Sequence, residues 1–258
     1  MKLRASSRSS AFTLMEILVV IAIILVLAAI AVPVMNAVRT KANMQVAMKN
    51  MNSLGTALVA YTNSNDGTLP NEDAKGTDTW QVAADPESAK AWYNALPKLA
   101  GGKGVGEFAN SPRDFYSKEN LLWLPGAVYP SGGQELAKPL FAIAMNTKIQ
   151  TKGEDDTKEP VKMNQITHTS KTVAFLEQGI KGEAQAMKVQ PAYDGSCKGS
   201  AKSFVARYGG KGVLLFFDGH AESYETKDLL TETGKIIWTQ GEIPPVIWSP
   251  TPDKDPNK

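Results

Sequence analysis

Residues 11–35 read AFTLMEILVVIAIILVLAAIAVPVM, and this stretch decides the fold. Positions 17–35 are 19 consecutive residues with no charge and no polar side chain, interrupted in character only by Pro33. At about 1.5 Å per residue a helix of that length spans about 30 Å, the thickness of a bilayer's hydrocarbon core. Ahead of it stand Lys2, Arg4 and Arg8 with no acid among them. That bias keeps the N-terminus cytoplasmic and sends the rest of the chain across. The buried helix of a soluble enzyme seldom runs this long without a polar face. The pattern therefore predicts one membrane-spanning helix followed by an exported domain.

Glu16 does not fit a plain anchor. It follows Phe12, Thr13, Leu14 and Met15 and directly precedes the apolar run. A carboxylate at membrane depth costs about 2.5–3.5 kcal/mol even on the milder insertion scale, and such groups are retained when they pair. If the basic leader were removed after Ala11, the new α-amine of Phe12 would be a cation four residues from Glu16. That amine would be available to the carboxylate of a neighbouring copy.

The run Ala11-Phe12-Thr13-Leu14-Met15-Glu16 with its apolar helix resembles the prepilin signal of type IV pilins and type II secretion pseudopilins. The resemblance implies cleavage between Ala11 and Phe12 by a prepilin peptidase, N-methylation of Phe12, and assembly through Phe12, Glu16 and the helix-kinking Pro33. It departs from the family pattern at Ala11, where glycine is the rule. It implies an α+β, pilin-like fold in which a long N-terminal helix packs on a small antiparallel sheet. The partners it implies are other copies and related pilins or pseudopilins, the prepilin peptidase, an inner-membrane assembly platform, and membrane lipid before assembly. The location it implies is the inner membrane as a single pass with a periplasmic domain, then a filament in the periplasm or at the cell surface. A different outcome is also legible. Ala29-Ile30-Ala31 has the A-x-A form of a signal-peptidase site, which would leave an exported binding module that uses the apolar segment only as a signal or anchor.

Beyond Pro33 the spacing of Met44, Met48, Met51, Leu54, Leu58 and Tyr61 in steps of three and four predicts that the helix continues to about Thr62, with one face packed. Arg39, Lys41, Lys49 and Asn50 lie off that stripe. With no histidine or cysteine interleaved, the methionines read as core rather than a soft-metal site. The organisation expected is a leader 1–11, a membrane or filament-core helix 12–35, its amphipathic continuation 36–62, a variable region 63–139, a sheet region 140–240 and a Pro-rich tail 241–258. Residues 63–70, NSNDGTLP, end the helix in a turn, and resemble the Asp-Asn-Gly-x-Tyr-Pro segment of pseudopilins with Leu69 at the aromatic position. Asp66 there is a weak calcium candidate, while the acids of 154–156 read as a solvated loop. Asp85-Pro86-Glu87 predicts a helix start leading into Ala91, Trp92, Ala95 and Leu96. The glycines of 101–106 lack the spacing of a phosphate loop.

Strands are expected at 140–145, 172–176 and 213–217, with Asp218-Gly219 as a two-residue hairpin turn into 221–224. That hairpin resembles the C-terminal signature of prepilin-like proteins abundant in planctomycetes and verrucomicrobia, a histidine followed by nine residues and Asp-Gly. Tyr208 holds the histidine position here. Tyr208 can donate one hydrogen bond in place of an imidazole that orients the hairpin. In the tail, Ile247 and Trp248 are expected to pack on the domain, the alternative being a partner-binding strip, with the chain extended or disordered beyond Pro250.

The 258 residues are 43% apolar and 21% charged, with 28 basic against 26 acidic side chains, which suits a globular chain of one or two domains. Removing Lys2, Arg4 and Arg8 with the leader leaves 25 basic against 26 acidic, a formal −1. The lack of a basic excess disfavours a nucleic-acid partner. His168 and His220 are the two histidines, the usual general acid–base side chain, and neither stands in a recognisable catalytic pattern. Cys197 is a lone, inert thiol in this reading. No catalytic residue, cofactor or further metal ligand is predicted.

Overall fold

The computed structural model describes residues 14–73, 77–130, 136–152, 158–159 and 161–258. Helix α1, Leu14–Ser64, runs 51 residues without a break and passes through Pro33. Two compact units divide the chain between Lys41 and Ala42. In the first, the apolar side chains of α1 from Leu14 to Val38 are exposed wherever they are described. In the second, Ala47, Met51, Leu54, Ala57 and Leu58 are buried, while Met44, Met48 and Tyr61 pack half-buried against the same cluster. The methionine stripe is core, as its helical spacing requires. Lys49 stays exposed, whereas Asn50 is half-buried and donates from Nδ2 to the Trp123 carbonyl at 2.8 Å.

The helix stops where the sequence runs out of apolar spacing. The N–H groups of Asn65 and Gly67 both bond the Thr62 carbonyl, and Asp66 and Gly67 take left-handed φ values of 53° and 75°. Asn and Asp side chains tolerate that region better than other non-glycine residues, which is why such a cluster ends a helix. Next come α2 (Trp80–Ala83), α3 (Trp92–Leu99) and α4 (Pro112–Phe115). Asp85 does cap a helix start, accepting from the Glu87 N–H at 2.9 Å, but the turn it caps is a 3-10 segment, Pro86–Lys90. The chain then straightens at Ala91 before α3. That break lets the Trp92 N–H reach the Asn71 carbonyl and aims the Trp92 ring into the core, 5.0 Å from the Phe175 ring.

The sheet contains β1 (Ile143–Asn146), β4 (Val173–Glu177), β5 (Lys198–Gly199), β6 (Lys211–Phe216) and β7 (Ala221–Glu225), in the order β5-β1-β4-β6-β7. A separate pair joins β2 (Thr151–Lys152) to β3 (Lys158–Glu159). The acids expected in a solvated loop at 154–156 lie outside the described residues. Four strands of the main sheet pair antiparallel as expected, and β5 adds a short parallel edge on β1. The cause is topological. β4 ends beside the start of β1, and residues 178–197 carry the chain past β1, so β5 sets out in the same direction as β1.

Side chains alternate between two cores, as the strand pleat dictates. Ile143, Met145, Val213 and Leu215 face α1 and the inserted helices, while Ala144, Leu214 and Phe216 face the other way. That second face is covered by Leu229, Leu230, Ile236, Val246 and Trp248. Trp248 and Ile247 pack as expected, with the Val173 N–H bonded to the Ile247 carbonyl. Beyond Pro250 the tail is neither extended nor loose as expected but runs in turns, tied down because Asn257 bonds both the N–H and the carbonyl of Ile236.

Candidate functional site

The residues on which sequence reasoning rests the function lie at the N-terminal end of α1 and at the β6–β7 turn. Ala11 and Phe12 lie outside the described residues. Glu16 sits exposed in the first turn of α1, at the base of the apolar run. Counting from Ile17, the helix presents an uninterrupted apolar surface long enough to cross a membrane, none of which is buried. Asp66 is an exposed turn residue, and among the described residues no group of three or more His, Cys, Asp or Glu side chains gathers to hold a metal ion.

At the hairpin, Asp218 and Gly219 form the turn, but the loop has three residues rather than two. The Gly219 N–H bonds the Phe216 carbonyl and the Phe216 N–H bonds the His220 carbonyl. Only Gly219 of the three has positive φ, 92°, whereas a two-residue type I′ turn needs it at both central positions. The result is a type I turn closed by a left-handed glycine. The Asp218 carboxylate accepts from the His220 backbone N–H at 3.1 Å and also contacts the His220 ring, which stacks on Phe216. Tyr208 does not reach Asp218. Its buried hydroxyl donates to the Pro125 carbonyl at 3.0 Å, and burial pushes its pKa up. The tyrosine thus ties the strand entry to the insertion, and His220 is the imidazole beside Asp218.

The turn also meets α1. A Cβ on Gly55 would lie 2.9 Å from Leu215 Cδ1 and 3.0 Å from the Gly219 carbonyl oxygen. Gly55 therefore permits the helix to press on the turn, a close approach that only glycine allows.

One polar cluster escaped the sequence analysis. Arg207, beside Tyr208, is buried with Glu177 at the end of β4 and Glu183 in the following loop. Its Nε and Nη2 grip the Glu183 carboxylate at 2.8 and 2.7 Å, Nη1 donates to Glu177 at 2.9 Å, and Nη2 also donates to the Gln178 carbonyl at 2.6 Å. Burial pushes the Glu177 carboxyl up to about 7 against the pull of Arg207. The remaining carboxylate lone pairs accept backbone N–H groups of Val213, Ile180 and Val128. The cluster clamps three segments and presents no free donor from the guanidinium to a substrate. A signal did exist in an acid closing an otherwise apolar strand, but its partner stands 30 positions away.

Cys197 is buried, with its Sγ 3.9 Å from the Glu72 carbonyl, and burial raises its pKa far above that of a reactive thiolate. His168 bonds Thr167 Oγ1 at 2.9 Å on a partly exposed loop.

Residues 6–32 match the prokaryotic N-terminal methylation motif. This match takes in the end of the basic leader, the Ala11-Phe12 junction, Glu16 and most of the apolar run. No curated protein and no solved structure matches the chain. The chain therefore carries a prepilin-type signal, on a pilin-like α+β layout of one long helix and a small five-stranded sheet.

Proposed function

We propose that this chain is a structural, non-enzymatic subunit of a type II secretion pseudopilus or type IV pilus-like filament. A prepilin peptidase would remove residues 1–11 and methylate Phe12. Residues 12–35 would hold the subunit in the inner membrane and then form the filament core, and the domain carried by 36–62 would stand in the periplasm or on the cell surface. An inner-membrane platform would move copies from lipid into the filament. The observation that carries this reading is that the methylation motif, residues 6–32, takes in the start of a helix whose apolar half is uncovered and whose other half carries a packed stripe. Asp218-Gly219 supports placing the chain with the His-x9-Asp-Gly group, from which it departs at Tyr208, a residue that takes a structural role.

In a filament, the Glu16 carboxylate paired with a neighbour's Phe12 amine would fix axial register, because a charge left without its partner in an apolar core costs several kcal/mol. Glu16→Leu should leave membrane insertion intact and abolish or strongly impair filaments seen by electron microscopy. Normal filaments from that variant would remove the role. Sequencing of the mature N-terminus tests processing directly, since Phe12 supports the proposal. A start at Val32 would favour the exported binding module instead.

A further inference from the structure

On α1, the 11 residues from 36 to 46 lie between the apolar run and the first buried side chain, Ala47. Within them Arg39 and Lys41 are both exposed. No acidic residue occurs anywhere between Glu16 and Asp66, so no carboxylate on the helix itself can neutralise them through an i, i+4 pair. At the helical rise, Arg39 stands about 6 Å and Lys41 about 9 Å beyond Met35. The headgroup layer of one leaflet is about 5–8 Å thick, and long basic side chains reach back toward it along their stems. Lys49 is about 21 Å beyond Met35, outside that layer and more than a Debye length from it.

The angular placement is as informative as the depth. At about 100° per residue, Arg39 and Lys41 point about 200° apart around the helix. A single flat protein surface on one side cannot engage both, whereas lipid headgroups surround the helix. We infer that Arg39 and Lys41 form a cationic collar that binds anionic lipid headgroups on the exported face of the membrane before assembly. The inference rests on the membrane-spanning role proposed above and names the lipid chemistry the helix selects. The collar sets how deeply the helix sits and holds the subunit at the interface until it is drawn out.

The test uses the full chain with Lys2→Gln, Arg4→Gln and Arg8→Gln, so that the leader adds no cationic contact of its own, in nanodiscs of equal phosphatidylcholine and phosphatidylglycerol, with retained lipids counted by native mass spectrometry after release. Each basic side chain near an anionic surface contributes about fivefold, so the pair should enrich phosphatidylglycerol by about 25-fold. Arg39→Gln with Lys41→Gln should bring the ratio close to one, and Lys49→Gln should leave it unchanged. Enrichment that survives the double variant, or falls equally with Lys49→Gln, overturns the collar. Displacement of the lipid by millimolar inorganic phosphate overturns the lipid assignment in favour of a free-anion site. Crosslinks from Lys41 to carboxylates of a second copy, with no lipid preference, would assign the charges to the filament and overturn the proposal. An alkaline wash separates the two levels of failure. A chain washed out of vesicles overturns the membrane reading along with the collar, whereas an embedded chain without lipid preference overturns the collar alone.

Discussion

Gly55→Ala sets two effects of opposite sign against each other at one position. Gly55 is the only glycine in α1. Replacing a helix-interior glycine by alanine gains about 1 kcal/mol of intrinsic propensity. The new Cβ, however, would lie 2.9 Å from Leu215 Cδ1, 3.0 Å from the Gly219 oxygen and 3.1 Å from Gly219 Cα. Carbon pairs rest at about 3.5–4.0 Å, so the methyl intrudes by about 0.6 Å or more on Leu215 Cδ1 and by about 0.4 Å or more on Gly219 Cα, with the Gly219 oxygen also crowded. Leu215 is fully buried, and the other two atoms belong to the backbone of a left-handed turn residue. Two of the three atoms are backbone and the third is the terminal methyl of a fully buried side chain with little room to give, which places the overpacking cost in the upper part of the range of about 1–3 kcal/mol. The clash wins, and the variant should lose about 1–2 kcal/mol. A fragment beginning at Ala42 retains every described residue of the core, since the first buried side chain is Ala47. Its urea midpoint, followed by tryptophan fluorescence, should fall by about 0.5–1 M for a slope of about 2 kcal/mol/M. Asn52→Ala, on the exposed face one turn away, should instead raise stability by a few tenths of a kcal/mol. A midpoint that rises for Gly55→Ala would refute the close approach of helix and turn.

Arg207→Met removes the cation from between Glu177 and Glu183, and chemical denaturation should show a loss of about 3–5 kcal/mol. The carboxyl of Glu177 titrates near 7 in the fold, above its unfolded value. The folded state therefore binds more protons between the two, so this group's contribution is fully present below the unfolded pKa and is lost as pH rises through about 7. A Glu177→Gln variant should show a flatter stability profile across that window in unfolding titrations. Cys197, buried and held as the thiol, should resist alkylation at mildly alkaline pH in the native protein and react promptly in urea, as read by mass spectrometry.

By itself the sequence determined the long helix, the prepilin-type signal and the packed methionine stripe. These are local features. A membrane span needs only a run of apolar residues, a helix face needs only a period of three to four, and a processing signal is contiguous. The same locality placed the strands to within a few residues and placed a turn at Asp218-Gly219. The length of that turn was not legible, because whether one residue or two take positive φ depends on the strand register beneath it. Only the tertiary structure decided what covers the second face of the sheet, why β5 runs parallel to β1, and why Gly55 sits in a helix that otherwise has no use for it. It also decided that Arg207, with two acids lying 30 and 24 positions away, would close the domain. Such contacts arise when the chain folds back on itself, and their energy comes from excluding water around groups whose order in the sequence carries no trace of the meeting.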